Sequence, residues 1–440
     1  MDRKKILELF DEQRDYMEDK INSGIERYRK GFASIVVKDD EGNIISDAKI
    51  KLVQKSHKFK FGANLFMLDE LESDEKNELY KKYFADAFNM ATLPFYWDST
   101  EPEKGKTRYE KNSKKLYRRP PIDLCIEFCE KYGIEPREHA LAYEHLFPNW
   151  LKNYSVAEVK LALENRYKEI SERYKNKIPT IEVTNEMGWG SGVTSFYKEP
   201  DYIEWCFKTA EKYFPANQLV INEWTAFPWG DACSPADRYY SNIEANILKG
   251  ARIDAIGMQY HMFFKAEDEY YLNTRGYYNP KSLYEHMDLY SNFGKPLQIT
   301  EVTIPAYSNK PEDEELQSEI IKTLYSIWFS HPNVEQIIYW NLVDGYAFSA
   351  PQGDMTSGEN YYHGGLLRFD FTPKPAYCAI KDLIQNKWHT EVELATNDNG
   401  RAEWKGFYGT YNAEITANGK TVNKEINFVS EKSNEFSVVI

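Results

Sequence analysis

The stretch IEVTNE at residues 181–186 closes a short apolar run with a glutamate, and LQITE at residues 297–301 repeats this pattern. Short apolar runs of this kind are typical of buried strands. A carboxylate at the tip of a buried strand is poorly solvated and therefore costly to keep. Two such carboxylates in a strand–helix sequence favour paired acid/base chemistry, for which glycosidic bond cleavage is the natural reaction.

Strand-like and helical runs alternate eight times from Phe59 onward. The candidate strands are residues 60–64, 89–93, 136–142, 180–185, 218–222, 253–259, 297–301 and 336–340. A capping box at residues 155–158 starts one intervening helix, and the Ser234-Pro235 and Thr372-Pro373 pairs predict two further starts. The repeat predicts an α/β fold, a (β/α)₈ TIM barrel.

The two ends of the chain differ from this central region. Residues 4–30 carry the apolar spacing of an amphipathic helix, and residues 33–53 alternate as a β-hairpin. Residues 390–440 form short β-like runs. Because a lone hairpin is marginally stable, we expect both ends to build one small β-rich accessory domain. The predicted divisions are an N-terminal helix at 1–30, the hairpin at 31–56, the catalytic barrel at 57–388 and a small β domain at 389–440.

The overall composition limits which binding partners and which cellular compartment we expect. A formal net charge of -14 argues against a groove that binds nucleic acid. The sequence contains no run of about 18 apolar residues, so it predicts no membrane-spanning helix. The five cysteines do not form a disulfide framework. The N terminus lacks the apolar core of a signal peptide, so the chain as written is expected to be cytoplasmic, or secreted if such a peptide has been removed. The expected partner is an oligo- or polysaccharide, with protein partners unknown.

The candidate chemistry lies at the carboxyl ends of the predicted strands, where barrel enzymes carry their reactive residues. Glu186 ends the fourth strand and Glu301 the seventh, so both can reach over the barrel axis. Glycosidic cleavage needs one of the pair protonated and the other ionised. Gln259 and His261 end the sixth strand: Gln259 can orient the nucleophile or hold a sugar hydroxyl, and His261 can bond Glu301. Trp340, at the end of the eighth strand, is interpreted as a platform for a sugar ring.

Several motifs in the same order resemble glycoside hydrolase family 10, the retaining xylanases. They are TNE at 184–186, ITE at 299–301, GMQYH at 257–261, FGAN at 61–64, TEPEKG at 100–105 and PKPAY at 373–377. The resemblance spans about residues 57 to 386. It implies Glu186 as acid/base and Glu301 as nucleophile, with no metal and no cofactor. The residues then expected to contact substrate are Asn185, His261, Gln259, Trp340, Asn222, Asn64, His139, Tyr143, Glu144, Trp97, Trp224 and Tyr346.

The chain also departs from that family beside the reaction centre. The second-strand segment at 93–97 reads LPFYW, in place of the polar residues with which the family grips the sugar on the non-reducing side. Tyr143 and Glu144 replace a Trp-His pair, Thr303 stands where the family has an aspartate that pairs with the histidine, and Phe348 replaces a tryptophan. These changes are compatible with a different sugar, a shorter substrate or a decorated one.

Four hypotheses follow. The favoured one is a retaining endo-acting enzyme that cleaves β-1,4-xylosidic linkages in xylan or xylo-oligosaccharides. The second is an exo-acting or oligosaccharide-trimming β-glycosidase on a different or decorated glycan. The third is a carbohydrate-binding barrel without activity, against which the retention of both glutamates argues. A metal-dependent hydrolase is the fourth, although His139 and His145 lack the usual ligand spacing.

Overall fold

The computed structural model describes residues 3–230, 233–269 and 275–440 of the chain. The N-terminal segment consists of a 3₁₀ turn (Arg3–Leu7), α1 (Glu8–Glu12), α2 (Arg14–Gly24) and a π-helical turn (Ile25–Arg29). The single helix predicted over 4–30 is therefore divided, with a break at Gln13 between α1 and α2. Its apolar stripe is retained, because Ile6, Phe10 and Met17 are buried against the barrel core.

Two strands follow, β1 (Lys30–Lys38) and β2 (Lys49–His57), and then the barrel begins. The barrel strands are β3 (Lys60–Asn64), β4 (Met90–Pro94), β5 (Glu135–His139), β6 (Thr180–Asn185), β7 (Gln218–Glu223), β8 (Ala255–Met258) with its continuation β9 (Tyr260–His261), β10 (Leu297–Thr303) and β11 (Val334–Tyr339). They pair in parallel in this order, and β11 pairs with both β3 and β10 to close the cylinder. The predicted eight-stranded barrel is confirmed.

Helices cover the outside of the barrel. They are α3 (Asp74–Ala87), α4 (Trp97–Thr100), α5 (Ile122–Tyr132), α6 (Val156–Tyr174), α7 (Tyr202–Tyr213), α8 (Arg238–Leu248), α9 (Pro280–Ser291), α10 (Pro311–Ser330) and α11 (Pro375–Asp382). The capping box before α6 is present, with Ser155 and Glu158 bonding each other's backbone. Two predicted helix starts were wrong: Ser234 belongs to a turn and α8 begins at Arg238, while α11 begins at Pro375, the second proline of its segment.

The accessory domain is a sandwich of two small sheets. Its remaining strands are β12 (Glu391–Ala395), β13 (Arg401–Phe407), β14 (Gly409–Ala417), β15 (Lys420–Phe428) and β16 (Glu435–Val439). One sheet has the order β13-β1-β16 and the other β12-β2-β14-β15, so both chain ends build the domain as predicted.

The predicted hairpin at 33–53 was wrong, because β1 and β2 belong to opposite sheets and share no ladder. Each pairs instead with a C-terminal strand, β1 with β13 and β2 with β14. The inward faces of the two strands then meet in the sandwich core, where Ile35, Val37, Ile50 and Leu52 are buried. This arrangement buries both apolar faces, whereas a free hairpin would leave one of them in water.

The sandwich adjoins the amino-terminal face of the barrel, since β2 ends at His57 and β3 begins at Lys60. The opposite face, where the barrel strands end, is left to the long loops that follow each strand. Within the part of the chain that the structure describes, no helix is both long and apolar enough to cross a bilayer.

Candidate active site

The strand ends bring the two predicted glutamates into one cavity of about 670 Å³. Glu186 directly follows β6 and Glu301 lies within β10, the fourth and seventh strands of the barrel. The backbone of Glu186 has φ 53° and ψ 46°, a left-handed conformation that costs a residue with a Cβ about 1–3 kcal/mol. Such strain persists where surrounding contacts hold the residue in place, as they do here.

A chain of hydrogen bonds through three amide side chains joins the two carboxylates. Asn222 Nδ2 donates to Glu301 Oε1 at 3.0 Å and to Asn185 Oδ1 at 3.0 Å. Gln259 Nε2 donates to the same Asn185 oxygen at 3.2 Å and to Glu186 Oε1 at 3.0 Å. The two carboxylates are thus held in a fixed relation, with Asn185 as the shared acceptor between them. All three of these amide residues were predicted for the site.

Each carboxylate has a further donor on its second oxygen. The Tyr143 hydroxyl donates to Glu186 Oε2 at 2.6 Å, and His261 Nε2 lies 3.2 Å from Glu301 Oε2. Burial lowers the pKa of His261 to about 4, so its ring is neutral at physiological pH. Thr303 Oγ1 lies 2.9 Å from Nδ1, and when it donates there the ring hydrogen is on Nε2, directed at Glu301. Thr303 therefore fulfils with a neutral group the positioning role that the resemblance assigns to an aspartate.

A third carboxylate, Glu182, lies beneath this pair. It forms a buried ion pair with Arg137, and its Oε1 is 2.8 Å from His139 Nδ1. Burial acts to raise its pKa, but the charges of Arg137 and His139 hold the pKa of Glu182 below its ordinary value. His139 Nε2 is in turn 2.8 Å from the Tyr96 hydroxyl. His139, Glu182 and Glu301 lie near enough together to hold a metal ion, but the ion pair with Arg137 and the bond to Tyr96 already engage Glu182 and His139.

The environment of Glu301 favours its protonated form. Burial, joined by the negative charges of Glu182 and Glu186, raises the pKa of Glu301 to about 8, against the opposing charge of His139. A carboxyl with this pKa is mostly protonated at neutral pH and becomes ionised as the pH rises through about 8.

Aromatic side chains form much of the cavity wall. The lining includes Phe66, Tyr96, Arg118, Arg119, His139, Tyr143, Trp224, Phe263, Phe264, Tyr277, Trp340, Phe348 and Glu359. Trp340 is 6% exposed and its ring lies 5.6 Å from that of His261, which contacts Glu301. The predicted positions of His139, Tyr143, Trp224 and Trp340 at the cavity agree with this lining.

Two predicted contact residues are instead structural parts of the loops. Trp97 is buried and its Nε1 donates to Glu101 Oε2 at 2.8 Å, away from the cavity. Glu144 is 4% exposed and accepts a bond of 2.8 Å from the hydroxyl of Thr194, so it fastens the loop after β6. The prediction that Trp97 and Glu144 touch substrate is corrected accordingly.

Asn64 and Tyr346 also lie outside the cavity lining. Asn64 Nδ2 bonds Asn341 Oδ1 at 3.4 Å, and the Tyr346 hydroxyl donates to Glu72 Oε2 at 2.8 Å. Their predicted contact with substrate is therefore also corrected. Both support the loop region around Asn341, which in turn bonds Arg118.

The sequence analysis did not identify five residues of the site: Glu182, Phe66, Arg118, Arg119 and Glu359. Glu182 carried a usable signal, because it stands four residues before Glu186 in a strand whose alternate residues face the barrel interior. Phe66, Arg118, Arg119 and Glu359 lie in loops, where no periodicity marks a residue as facing a cavity.

A (β/α)₈ barrel with a linked pair of glutamates on its fourth and seventh strands has the architecture of the barrel glycosidases. The sequence pattern of Glycosyl hydrolase family 10 matches residues 51–383. This match covers most of the chain and includes both glutamates and their amide and histidine partners. The chain belongs to glycosyl hydrolase family 10.

Individual relatives are distant. The chain is 26% identical over 400 residues to endo-1,4-beta-xylanase 2 of Arabidopsis thaliana, covering 89% of this chain and 32% of that protein. It is 25% identical over 407 residues to anti-sigma-I factor RsgI6 of Acetivibrio thermocellus, covering 91% of this chain and 47% of that protein. The chain thus spans less than half the length of these two relatives. Endo-1,4-beta-xylanase B of Thermotoga neapolitana is 24% identical over 343 residues, with 75% and 88% coverage of the two chains.

Solved structures support the fold independently. Xylanase 10B from Thermotoga maritima superimposes with a TM-score of 0.57 at 23% identity, covering 75% of this chain and 96% of that one. Xylanase 10B from Thermotoga petrophila, solved in complex with xylobiose, gives a TM-score of 0.58 with 75% and 95% coverage.

Proposed function

We propose that the chain is a retaining β-glycosidase that cleaves β-1,4-xylosidic linkages in xylan or xylo-oligosaccharides, with Glu301 as nucleophile and Glu186 as acid/base. The observation that carries this proposal is the continuous hydrogen-bond chain between the two carboxylates through Asn222, Asn185 and Gln259. The xylan specificity draws its support from relatives named as endo-1,4-beta-xylanases.

In the first step an oxygen of ionised Glu301 forms a bond to the anomeric carbon while the bond to the leaving oxygen breaks. Protonated Glu186 gives its proton to that leaving oxygen, so the leaving chain departs as a neutral alcohol. Asn222 and His261 donate to Glu301 and orient it for attack, while Tyr143 and Gln259 orient Glu186.

In the second step water attacks the anomeric carbon of the glycosyl–Glu301 ester and the ester bond breaks. Glu186, now ionised, takes the proton from this water, which restores both carboxyls to their starting states. Two displacements at one carbon retain the anomeric configuration of the substrate.

The test is a digestion of linear xylo-oligosaccharides and xylan, followed by proton NMR in the first minutes and by product analysis. We expect the β-anomer to appear first and then to mutarotate, and we expect long chains to be cleaved internally. An α-anomer as first product would contradict retention. Turnover of other β-glycosides with no cleavage of any xylosidic bond would contradict the proposed substrate.

A second candidate is an exo-acting or oligosaccharide-trimming enzyme on a decorated glycan. It is favoured by the wall at Tyr96 and Phe66, where aromatic rings and arginines replace the polar residues expected beside the sugar on the non-reducing side. Release of mono- or disaccharides from chain ends, with little loss of polymer length, would support this candidate over the endo-acting one.

A third candidate, binding without turnover, draws on the relative named anti-sigma-I factor RsgI6. It predicts that xylo-oligosaccharides bind and that neither they nor activated aryl glycosides are cleaved.

A further inference from the structure

Two consecutive arginines, Arg118 and Arg119, line the catalytic cavity from a long loop that follows α4. The Arg119 guanidinium lies 4.3 Å from the centre of the Tyr96 ring and 5.6 Å from that of Phe66. Arg118 lies 5.5 Å from the centre of the same Phe66 ring. The two positive charges are therefore held side by side against the aromatic wall of the cavity.

This arginine pair is close to the reaction centre. The Phe66 ring lies 5.3 Å from that of Trp340, and Trp340 packs 5.6 Å from His261, the partner of Glu301. The pair is on the side formed by the loop after β4, where the resemblance places the sugar on the non-reducing side of the scissile bond. A glycan bound across both glutamates would bring one sugar unit to the arginines.

The backbone around the pair is held firmly in position. Arg118 has φ 62°, a left-handed conformation that is strained for a residue with a Cβ. Arg108 donates to the backbone oxygens of Ser99, Lys114 and Arg119, which fastens the loop on both sides of the strained residue. The surrounding contacts thus maintain an unfavourable backbone that presents two guanidinium groups to the cavity.

The hydrogen-bonding capacity of the two arginines is only partly used within the protein. Arg118 Nη1 donates to Asn341 Oδ1 at 3.1 Å and to the backbone oxygen of Tyr346, but its buried Nε has no partner. Arg119 Nη1 donates to the backbone oxygen of Arg118 at 2.9 Å. Within residues 3–230, 233–269 and 275–440, neither guanidinium forms an ion pair with a carboxylate.

Two acidic groups whose charges act on Arg119, Glu359 and Asp98, do not form an ion pair with it. Glu359 accepts a bond of 3.1 Å from Asn341 Nδ2, so Asn341 stands between it and Arg118. Asp98 accepts a bond of 2.6 Å from the Ser99 hydroxyl. Burial lowers the pKa of Arg119, and Asp98 and Glu359 offset this only in part. An uncompensated guanidinium in a half-buried wall is costly unless a ligand supplies the opposite charge.

We propose that Arg118 and Arg119 bind an oxyanion substituent, a uronic acid carboxylate or a sulfate ester, on the sugar unit at the non-reducing side of the scissile bond. This inference rests on the proposed glycosidase function and specifies its substrate class as an acidic glycan. Forked guanidinium donors match carboxylate and sulfate oxygens with paired, charge-assisted bonds, which neutral hydroxyls form more weakly. The stacking of Arg119 on Tyr96 fixes the plane of its donors in advance.

The test uses the full chain carrying Glu301→Gln, so that binding is measured without turnover. Isothermal titration compares a xylo-oligosaccharide that bears one glucuronic acid branch with the same compound after reduction of its carboxyl group to an alcohol. A sulfated xylo-oligosaccharide with its unsulfated parent forms a second matched pair and distinguishes the two sources of the oxyanion. Each pair is repeated with Arg119→Gln and Arg119→Lys added to Glu301→Gln, and with Arg401→Gln on the sandwich as the control.

We expect at least one acidic ligand to bind about tenfold or more tighter than its neutral partner. Arg119→Gln should remove most of that preference while changing the affinity for the neutral ligands less than about twofold. Arg119→Lys should keep part of the preference, and Arg401→Gln should leave it unchanged. Equal binding within both pairs, or binding of neither, would overturn the inference. Loss of affinity for acidic and neutral members alike in Arg119→Gln would also overturn it, because a merely structural role has that effect.

Failure of the inference and failure of the proposed function give different results. If the unmodified enzyme cleaves neutral xylo-oligosaccharides with retention but shows no preference for acidic ones, only the inference fails. If it cleaves no glycan and Glu301→Gln still prefers the acidic member, the proposed function fails and the arginine site stands as a binding site.

Discussion

Glu301 and Glu186 differ in their surroundings although they belong to one bonded network. Glu301 is fully buried and receives bonds from an amide and a neutral histidine, whereas Glu186 follows its strand in a strained conformation and is bonded by a tyrosine and an amide. In the proposed mechanism Glu301 attacks the anomeric carbon and Glu186 exchanges protons.

The acid role of Glu186 predicts a dependence on the leaving group. Glu186→Ala should slow cleavage of xylo-oligosaccharides, whose leaving alcohols are poor, by about 10²-fold or more. Activated aryl glycosides need little protonation, so their first step should be slowed far less. Steady-state and burst kinetics on both substrates measure the difference, with the exposed Glu172→Ala on α6 as the control. Equal slowing of the two substrate classes would remove Glu186 from the acid role.

The raised pKa of Glu301 predicts the acid limit of activity. Attack needs this carboxyl ionised, and its pKa of about 8 means that it becomes protonated as the pH falls below that value. For activated aryl glycosides, which need little protonation of the leaving group, kcat/KM should therefore fall as the pH is lowered through about 8. A profile that stays flat from pH 5 to pH 9 for such substrates would contradict the assignment.

Individual strands and helices show which features the sequence predicts correctly and which it does not. The bounds of β3 and β6 were predicted at their observed residues, because each is a short apolar run between polar turns. The capping box before α6 was also correct, since side chain and backbone satisfy each other locally. The hairpin prediction was wrong because alternation defines a strand but not its partner. Strands β1 and β2 pair with strands more than 350 residues further along the chain. The helix starts predicted at Ser234-Pro235 and Thr372-Pro373 were wrong. In each case a second polar residue or proline follows shortly afterwards and suits the first turn of a helix equally well.

The capping box supports a prediction for α6. Ser155→Ala removes the oxygen that accepts from the Glu158 backbone and should lower the free energy of unfolding by about 1 kcal/mol. Because Ser155 does not line the cavity, kcat and KM should be unchanged. Chemical denaturation of Ser155→Ala measures the loss, with Ser155→Asp, which restores a capping oxygen, as the matched control. Equal stability of the two variants would show that the cap contributes nothing.

For the molecule as a whole, the sequence predicts the barrel, but it predicts the residues of the cavity only in part. Residues on strand ends, such as Asn185, Asn222, Gln259 and His261, could be placed from sequence because the barrel brings all strand ends to one face. Loop residues could not: Trp97 and Glu144 were expected at the cavity but are buried in loop packing, and Arg118 and Arg119 went unnoticed. The position of a loop side chain depends on contacts such as those of Arg108, which no local pattern records.

The sandwich predicts that the chain ends stabilise each other. Deleting residues 389–440 would leave β1 and β2 without their C-terminal partners and expose Ile35, Val37, Ile50 and Leu52 to water. The deletion should lower the midpoint of thermal unfolding markedly or yield an aggregating protein. Thermal unfolding of the truncated chain is compared with that of Glu414→Ala, which alters only the exposed face of β14. An unchanged midpoint after deletion would show that the barrel folds independently of the sandwich.

The central claim, that Glu301 attacks the anomeric carbon, is tested most directly by trapping the covalent intermediate. A 2-deoxy-2-fluoro-xylobioside with an activated leaving group slows the second step more than the first, so the glycosyl–enzyme ester should accumulate. We predict a mass increase of one fluoroxylobiosyl group, located by peptide mass mapping on Glu301 and absent in Glu301→Gln. A label on another residue, or full turnover of natural substrate by Glu301→Gln, would contradict it.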